Sequence, residues 1–331
     1  MRIFLLVTAF SLGMIINRST TPKKEVIASI EVLPNYLWHI FASSNIWDKD
    51  TSPYSDKYGH TVLQTDREFI YNHRELIAWA NGKSGDLTGG IFFYPLREKI
   101  DIGEYIALLN RLTDEMKGHV PDELYRICLD VTAIMGRNYR YFKDNVWPEI
   151  KPLLEDAKAK LEDKFEGHDP ISEWEKGLGL TYPEDKKELV LSYANQLDCL
   201  PSANDISPVR NNFGITADES TINYVYDLII HEIGIFTIKP VIDSLYANKE
   251  INNQFNLDNN IIYIAFETFI EKKKDDIFRT KPKIFLPQWA DQYKWFYEYY
   301  KQYDAAGAAG IDSLLKNAIT AFGVEFDPSL K

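Results

Sequence analysis

The sequence predicts a mostly helical α+β protein. Three observations predict it. Long stretches carry apolar residues at spacings of three and four, the period of a helix with one buried face. Only two short runs, Glu25 to Val32 and Leu189 to Tyr193, read as strands. The segment from Leu228 to Ile238 is apolar on all sides, which marks a helix enclosed by other elements rather than one lying on a surface.

In chain order, Ile3 to Ile16 follows Met-Arg as a mostly apolar run, the pattern of a secretory signal peptide or N-terminal anchor over residues 1–18. It is short for a membrane span, which needs about 20 apolar residues. The expected location is therefore exported, with the membrane touched only through this segment. Val26, Ile27, Ile30 and Val32 make the first strand β-branched, and Pro34 starts a helix through Trp38 and Phe41. Residues 48–60 are turn-rich and read as a loop, and 64–80 as one helix. Turns are expected at Asn81 to Gly85 and at Gly89-Gly90.

Ile106, Leu109 and Leu112 mark the next helix, Pro121 to about Lys143 a longer one, and Pro148 to Phe165 a charged one with Leu153, Leu154, Leu161 and Phe165 as its apolar stripe. Residues 200–217 read as loop. Ala305 to Gly310 separates two C-terminal helices. The expected organisation is a mainly helical region over 24–180 and a second region over 186–331.

Composition narrows the function. The 331 residues carry a net charge of −12, the wrong sign for a protein that tracks a phosphate backbone, so no nucleic-acid partner is expected. Two cysteines, Cys128 and Cys199, cannot build a disulfide scaffold or a four-thiolate zinc site, although an exported location would permit them to pair. Gly82-Lys83-Ser84 is not a phosphate loop, because position 77 is Ile where Gly is required. It is not a nucleophile elbow either, because position 86 is Asp.

The informative constellation is His231-Glu232 inside the apolar helix, which Asp218 or Ser220 can cap and Pro240 should end or kink. A buried imidazole and carboxylate each cost several kcal/mol unless compensated by a metal, an ion pair or a hydrogen-bond network. A later helical segment, Ile264 to Ile270, carries Glu267. A His-Glu pair alone is uninformative; the order loop, cap, buried helix, His-Glu, second helix with Glu is more specific.

This arrangement resembles the active-site helices of the gluzincin metallopeptidases, in which His-Glu-x-x-His supplies two zinc ligands and a general base and a glutamate on a following helix supplies the third ligand. It is similar in particular to a group of exported bacterial proteins whose zinc helix reads roughly His-Glu-Phe-x-His, then a short apolar stretch and Asn-Pro. Ile238-Lys239-Pro240 stands where that ending would be, and Pro34-Asn35-Tyr36-Leu37 and Ser52-Pro53-Tyr54 extend the likeness. The resemblance implies a gluzincin-like fold with a small antiparallel sheet. It also implies zinc held by His231 and Glu267, Glu232 as the base, and Tyr297 or Tyr300 as an oxyanion partner.

The sequence departs from that pattern where it matters most. The second histidine belongs one helical turn after His231, and position 235 is Ile. Catalytic zinc normally keeps three protein ligands, so two leave it weakly held or absent. Asp227, Asp243 or His168 would have to replace the missing ligand, and each is more ordinary as a surface or capping residue. Glu271, followed by three lysines, reads as part of a solvated face, and the aromatic run from Trp289 to Tyr303 as core packing plus surface aromatics. The expectation is a degenerate, inactive metallopeptidase-like protein that retains a peptide- or protein-binding cleft, with strand addition at Leu189–Tyr193. The alternatives are an active zinc peptidase with an unconventional ligand set and a helical binding protein of unrelated function.

Overall fold

The computed structural model describes residues 24–46, 53–82, 90–194, 209–247, 259–282 and 289–326. The N-terminal apolar run, Cys199, residues 83–89 and residues 200–208 lie outside them, so the expectations placed there have no structural counterpart.

Strand β1 (Glu25–Ile30) leads into helix α1 (Val32–Ser43). Helices α2 (Pro53–Tyr58), α3 (Gln64–Asn72), α4 (Arg74–Gly82) and the short α5 (Gly90–Phe93) follow. Then come α6 (Ile102–Met116), α7 (Asp122–Tyr141), α8 (Trp147–Phe165) and α9 (Pro170–Leu178). Strands β2 (Lys186–Ser192) and β3 (Arg210–Gly214) precede four long helices: α10 (Glu219–Ala247), α11 (Asn259–Phe278), α12 (Ala290–Lys301) and α13 (Gly307–Phe326). The protein is thus mostly helical with one small sheet. No helix among the described residues is long and apolar enough to cross a membrane.

The sheet corrects the expected topology. Its order is β1-β2-β3 and both pairings are parallel, with Ala28 opposite Leu189 and Leu189 opposite Asn211. Antiparallel neighbours can be joined by a tight turn, whereas parallel neighbours need a long crossover. Here nine α-helices among the described residues lie between β1 and β2 in the chain. β2 is the central strand, bonded on both sides, so Leu189–Ser192 has no free edge for an added peptide strand.

Other elements also differ from the sequence reading. Residues 53–61 are helical rather than loop, and the expected 64–80 helix is two, broken at His73. α9 carries the start and stop signals of a helix: Asp169 caps it by accepting from the Ser172 N–H, Pro170 follows, and Gly179 ends it at φ 65°. β3, Arg-Asn-Asn-Phe-Gly, lacks apolar alternation and yet is buried throughout. Two of its polar side chains are matched inside: Arg210 donates to Glu31, to Glu188 and to the Leu96 carbonyl, and Asn211 accepts from Lys187.

One connected cluster of buried apolar side chains runs through the helices and the sheet. α10 crosses it and continues past Pro240 to Ala247, so the proline neither ends it nor sets its length. An interior proline costs roughly 3 kcal/mol. The near-complete burial of the turns on its N-terminal side offsets that cost. α10 is anchored by Trp174 of α9, which is fully buried and donates its indole N–H to the Ile230 carbonyl at 2.7 Å. The ring lies against Gly234: a Cβ there would sit 2.6 Å from Trp174 Cζ2. Only glycine permits the two elements to approach this closely at that turn.

Candidate functional site

α10 and α11 bring His231 and Glu267 together. His231 Nε2 lies 3.1 Å from Glu267 Oε2, with both side chains buried. The contact is a buried ion pair. The other ring nitrogen is better placed: His231 Nδ1 is 2.8 Å from Glu271 Oε1. Glu267 and Glu271 are four residues apart and therefore stack on one face of α11, flanking the imidazole from two sides.

Lys274 completes the network. It is fully buried, donates to Glu271 Oε1 at 2.7 Å and lies 3.2 Å from Asp227 Oδ1. Asp227 precedes His231 by one turn of α10, so the two helices are joined by an alternating row of charges: Glu267, His231, Glu271, Lys274, Asp227. Burial alone would lower the imidazole pKa, but the carboxylates of Glu267 and Glu271 outweigh it and raise it to about 10. Burial likewise pushes Glu271 upward, and His231 and Lys274 together hold it below its ordinary value. At neutral pH His231 is therefore an imidazolium, held between Glu267 and Glu271.

Two tyrosines, the exposed Tyr246 and the buried Tyr293, feel the charge of Glu267. Burial, then the charge of Glu267, raises Tyr246 to about 12. The same causes, joined by Tyr263 and Glu271, raise Tyr293 further, and the Tyr293 hydroxyl is buried without a hydrogen-bond partner among the described residues.

The remaining candidates are placed as follows. Glu232 is buried beside His231 on the helix, but its charge reaches Tyr182, whose pKa burial, Glu184 and Glu232 all raise. Tyr297 donates to Asp275 Oδ2 at 3.0 Å, and Tyr300 donates to the Ala265 carbonyl, stapling α12 to α11. In both cases the hydroxyl is engaged away from His231, and Tyr293 is the tyrosine of α12 that faces Glu267. Asp243 is exposed and paired with Lys239, and His168 is half-exposed beside Glu173. Cys128 is a buried thiol raised to about 11 by burial, with no disulfide among the described residues.

Three residues of the network were misjudged from sequence. Glu271, Lys274 and Asp227 are buried rather than exposed. Their signal was the spacing itself, since positions 267, 271 and 274 repeat at four and three within an apolar helix. The run Lys272-Lys273-Lys274 masked it. Lys272 pairs with Asp276, the buried Lys273 reaches the exposed Asp304, and Lys274 joins Glu271 and Asp227.

The donor set falls short of a zinc site. Ile235, where the second imidazole would stand, is half-buried and offers no ligand. Asp227 is turned to Lys274, and both nitrogens of His231 are held by carboxylates. No group of three or more His, Cys, Asp or Glu placed to hold a metal occurs among the described residues. Comparison of the chain with protein-family models, with characterised proteins and with solved structures returned no match.

Proposed function

We propose that the protein is a degenerate, catalytically inactive relative of zinc metallopeptidases in which an internal ion-pair network stands in place of the metal. The observation that carries this reading is that Glu271 accepts from both His231 and Lys274. A histidine that ligates a metal through one ring nitrogen almost always donates the other N–H to a carboxylate. His231 has that arrangement, with Nδ1 on Glu271 and Nε2 turned to Glu267. What departs from a working centre is the rest: Ile235 supplies no ligand, and a buried ammonium provides the positive charge the carboxylates need.

In this reading Glu232 has no metal-bound water to deprotonate, and the protein's role is to bind a peptide or protein rather than to cut one. The N-terminal apolar run would direct it out of the cytoplasm, where such partners are met. The central position of β2 removes strand addition at Leu189–Tyr193 as the mode of binding.

The test is metal analysis of the purified protein beside His231→Ala, with a peptide-cleavage assay on both. The expected result is no stoichiometric zinc in either and no cleavage. One equivalent of zinc in the native chain that is lost on substitution, with cleavage abolished by Glu232→Gln, would overturn the reading in favour of an active enzyme with an unconventional ligand set.

A further inference from the structure

A cavity of about 460 Å³ opens between α12 and the end of α13, lined by Asp291, Lys294, Trp295, Glu298, Tyr299 and Glu325. That volume is within the usual range for small-ligand sites. We propose that it binds an organic cation, an ammonium or guanidinium group, by aromatic stacking and carboxylate pairing.

Two independent features point to that ligand. The first is an ordered aromatic platform. Trp295 and Tyr299, one turn apart on α12, stack with ring centroids 5.4 Å apart and planes 18° from parallel. The Trp295 indole N–H is fixed by Glu325 Oε2 of α13 at 2.8 Å, so the ring is held from a second helix. Tyr303 continues the row one turn further, 4.9 Å from Tyr299 and 51% exposed. Aromatic faces carry negative electrostatic potential and attract cations, guanidinium and substituted ammonium most of all.

The second feature is charge. The cavity lining holds three carboxylates, Asp291, Glu298 and Glu325, against one cation, Lys294. Glu298 is also paired with Lys301 at 2.8 Å, but both side chains are about half-exposed. Such surface pairs are weak and exchangeable, so a ligand cation can displace Lys301. The net charge of the chain, −12, favours approach of a cation over an anion. The site lies on the opposite side of α12 from Tyr293, and the inference stands whether or not the His231 network is a former metal centre.

Free polyamines and the arginine or lysine side chains of a basic peptide offer the same chemistry. The experiment is titration of the full chain with spermidine and, separately, with a penta-arginine peptide, followed by calorimetry and by the indole N–H resonance of Trp295, assigned with Trp295→Phe. Binding with a dissociation constant on the order of 0.1–1 mM is expected. Binding should weaken about 5–10-fold in the double variant Asp291→Asn/Glu298→Gln, whose exposed side chains leave the fold intact, and weaken again in about 0.3 M NaCl. Binding of only one of the two ligands supports the proposal and identifies the source of the cation. The proposal is overturned if neither ligand binds at about 1 mM, if the double variant binds as tightly as the native chain, or if a neutral methyl glucoside shifts the Trp295 resonance as strongly as the cations do.

Discussion

His231 Nδ1 lies 2.8 Å from Glu271 Oε1, and this one contact joins the two central helices, α10 and α11, through a buried charge pair. The same carboxylate oxygen accepts from Lys274, so the pair is held in place by a third group rather than by solvent.

Removing the ammonium should expose how much the row depends on it. Lys274→Met leaves Glu271 and Asp227 buried beside an apolar side chain. Breaking a buried ion pair from one side typically costs about 3–5 kcal/mol. The expected outcome in urea denaturation is a loss of that order, with Glu271→Gln in the same background recovering part of it, because the uncompensated charge is then gone.

Restoring the missing ligand tests the ancestry directly. Ile235→His places an imidazole one turn after His231, on the side of α10 that is partly open. The variant should bind zinc at least about 100-fold more tightly than the native chain, since two imidazoles and Glu267 make up the usual three protein ligands. Zinc titration by calorimetry checks this, and an unchanged affinity would count against convergence of residues 231, 235 and 267 on one point.

Gly234→Ala sets two effects against each other. In an open helix the change stabilises by about 1 kcal/mol through propensity. Here the added methyl meets the Trp174 ring at 2.6 Å, and overpacking of this kind costs about 1–3 kcal/mol. Destabilisation should win, with a lower thermal midpoint and altered Trp fluorescence.

The two buried histidines should give opposite pH windows. Burial lowers His39 from 6.5 to about 3, and its ring nitrogens are engaged by Tyr54 and Thr61. The folded state then binds its proton less readily than the unfolded chain, so this contribution is present above pH 6.5 and is lost as the pH falls toward 3. His231 is raised from 6.5 to about 10. Its contribution is full below pH 6.5 and is lost as the pH rises toward 10. Each window has a slope of about 1.4 kcal/mol per pH unit. Stability measured against pH should flatten on the acid side in His39→Gln and on the alkaline side in His231→Gln.

Much of the helical framework was legible in sequence, because apolar spacing reports which face of a helix is buried whatever it is buried against. The all-round apolar character of α10 correctly marked it as enclosed. The break at His73 and the strand at Arg210–Gly214 were not legible. A strand built from Arg, Asn and Asn shows no period, and its burial is tolerated only because Glu31, Glu188 and Lys187 arrive from elsewhere in the chain. The aromatic run of α12 was read as core packing plus surface aromatics, and it divides that way: Tyr293, Phe296 and Tyr300 are buried, whereas Trp295 and Tyr299 form the cavity wall.

By itself the sequence determined that the protein is mostly helical and that a His-Glu pair sits where water is scarce. Tertiary structure alone decided which charges meet there. Local patterns encode burial, but the partner of a buried charge comes from a distant segment. The spacing of positions 267, 271 and 274 puts Lys274 on the face of Glu271, but nothing in it states that Asp227 of another helix lies on the other side of that cation. The parallel sheet was decided at the same level, because strand direction depends on how the intervening helices route the chain and not on the strands themselves.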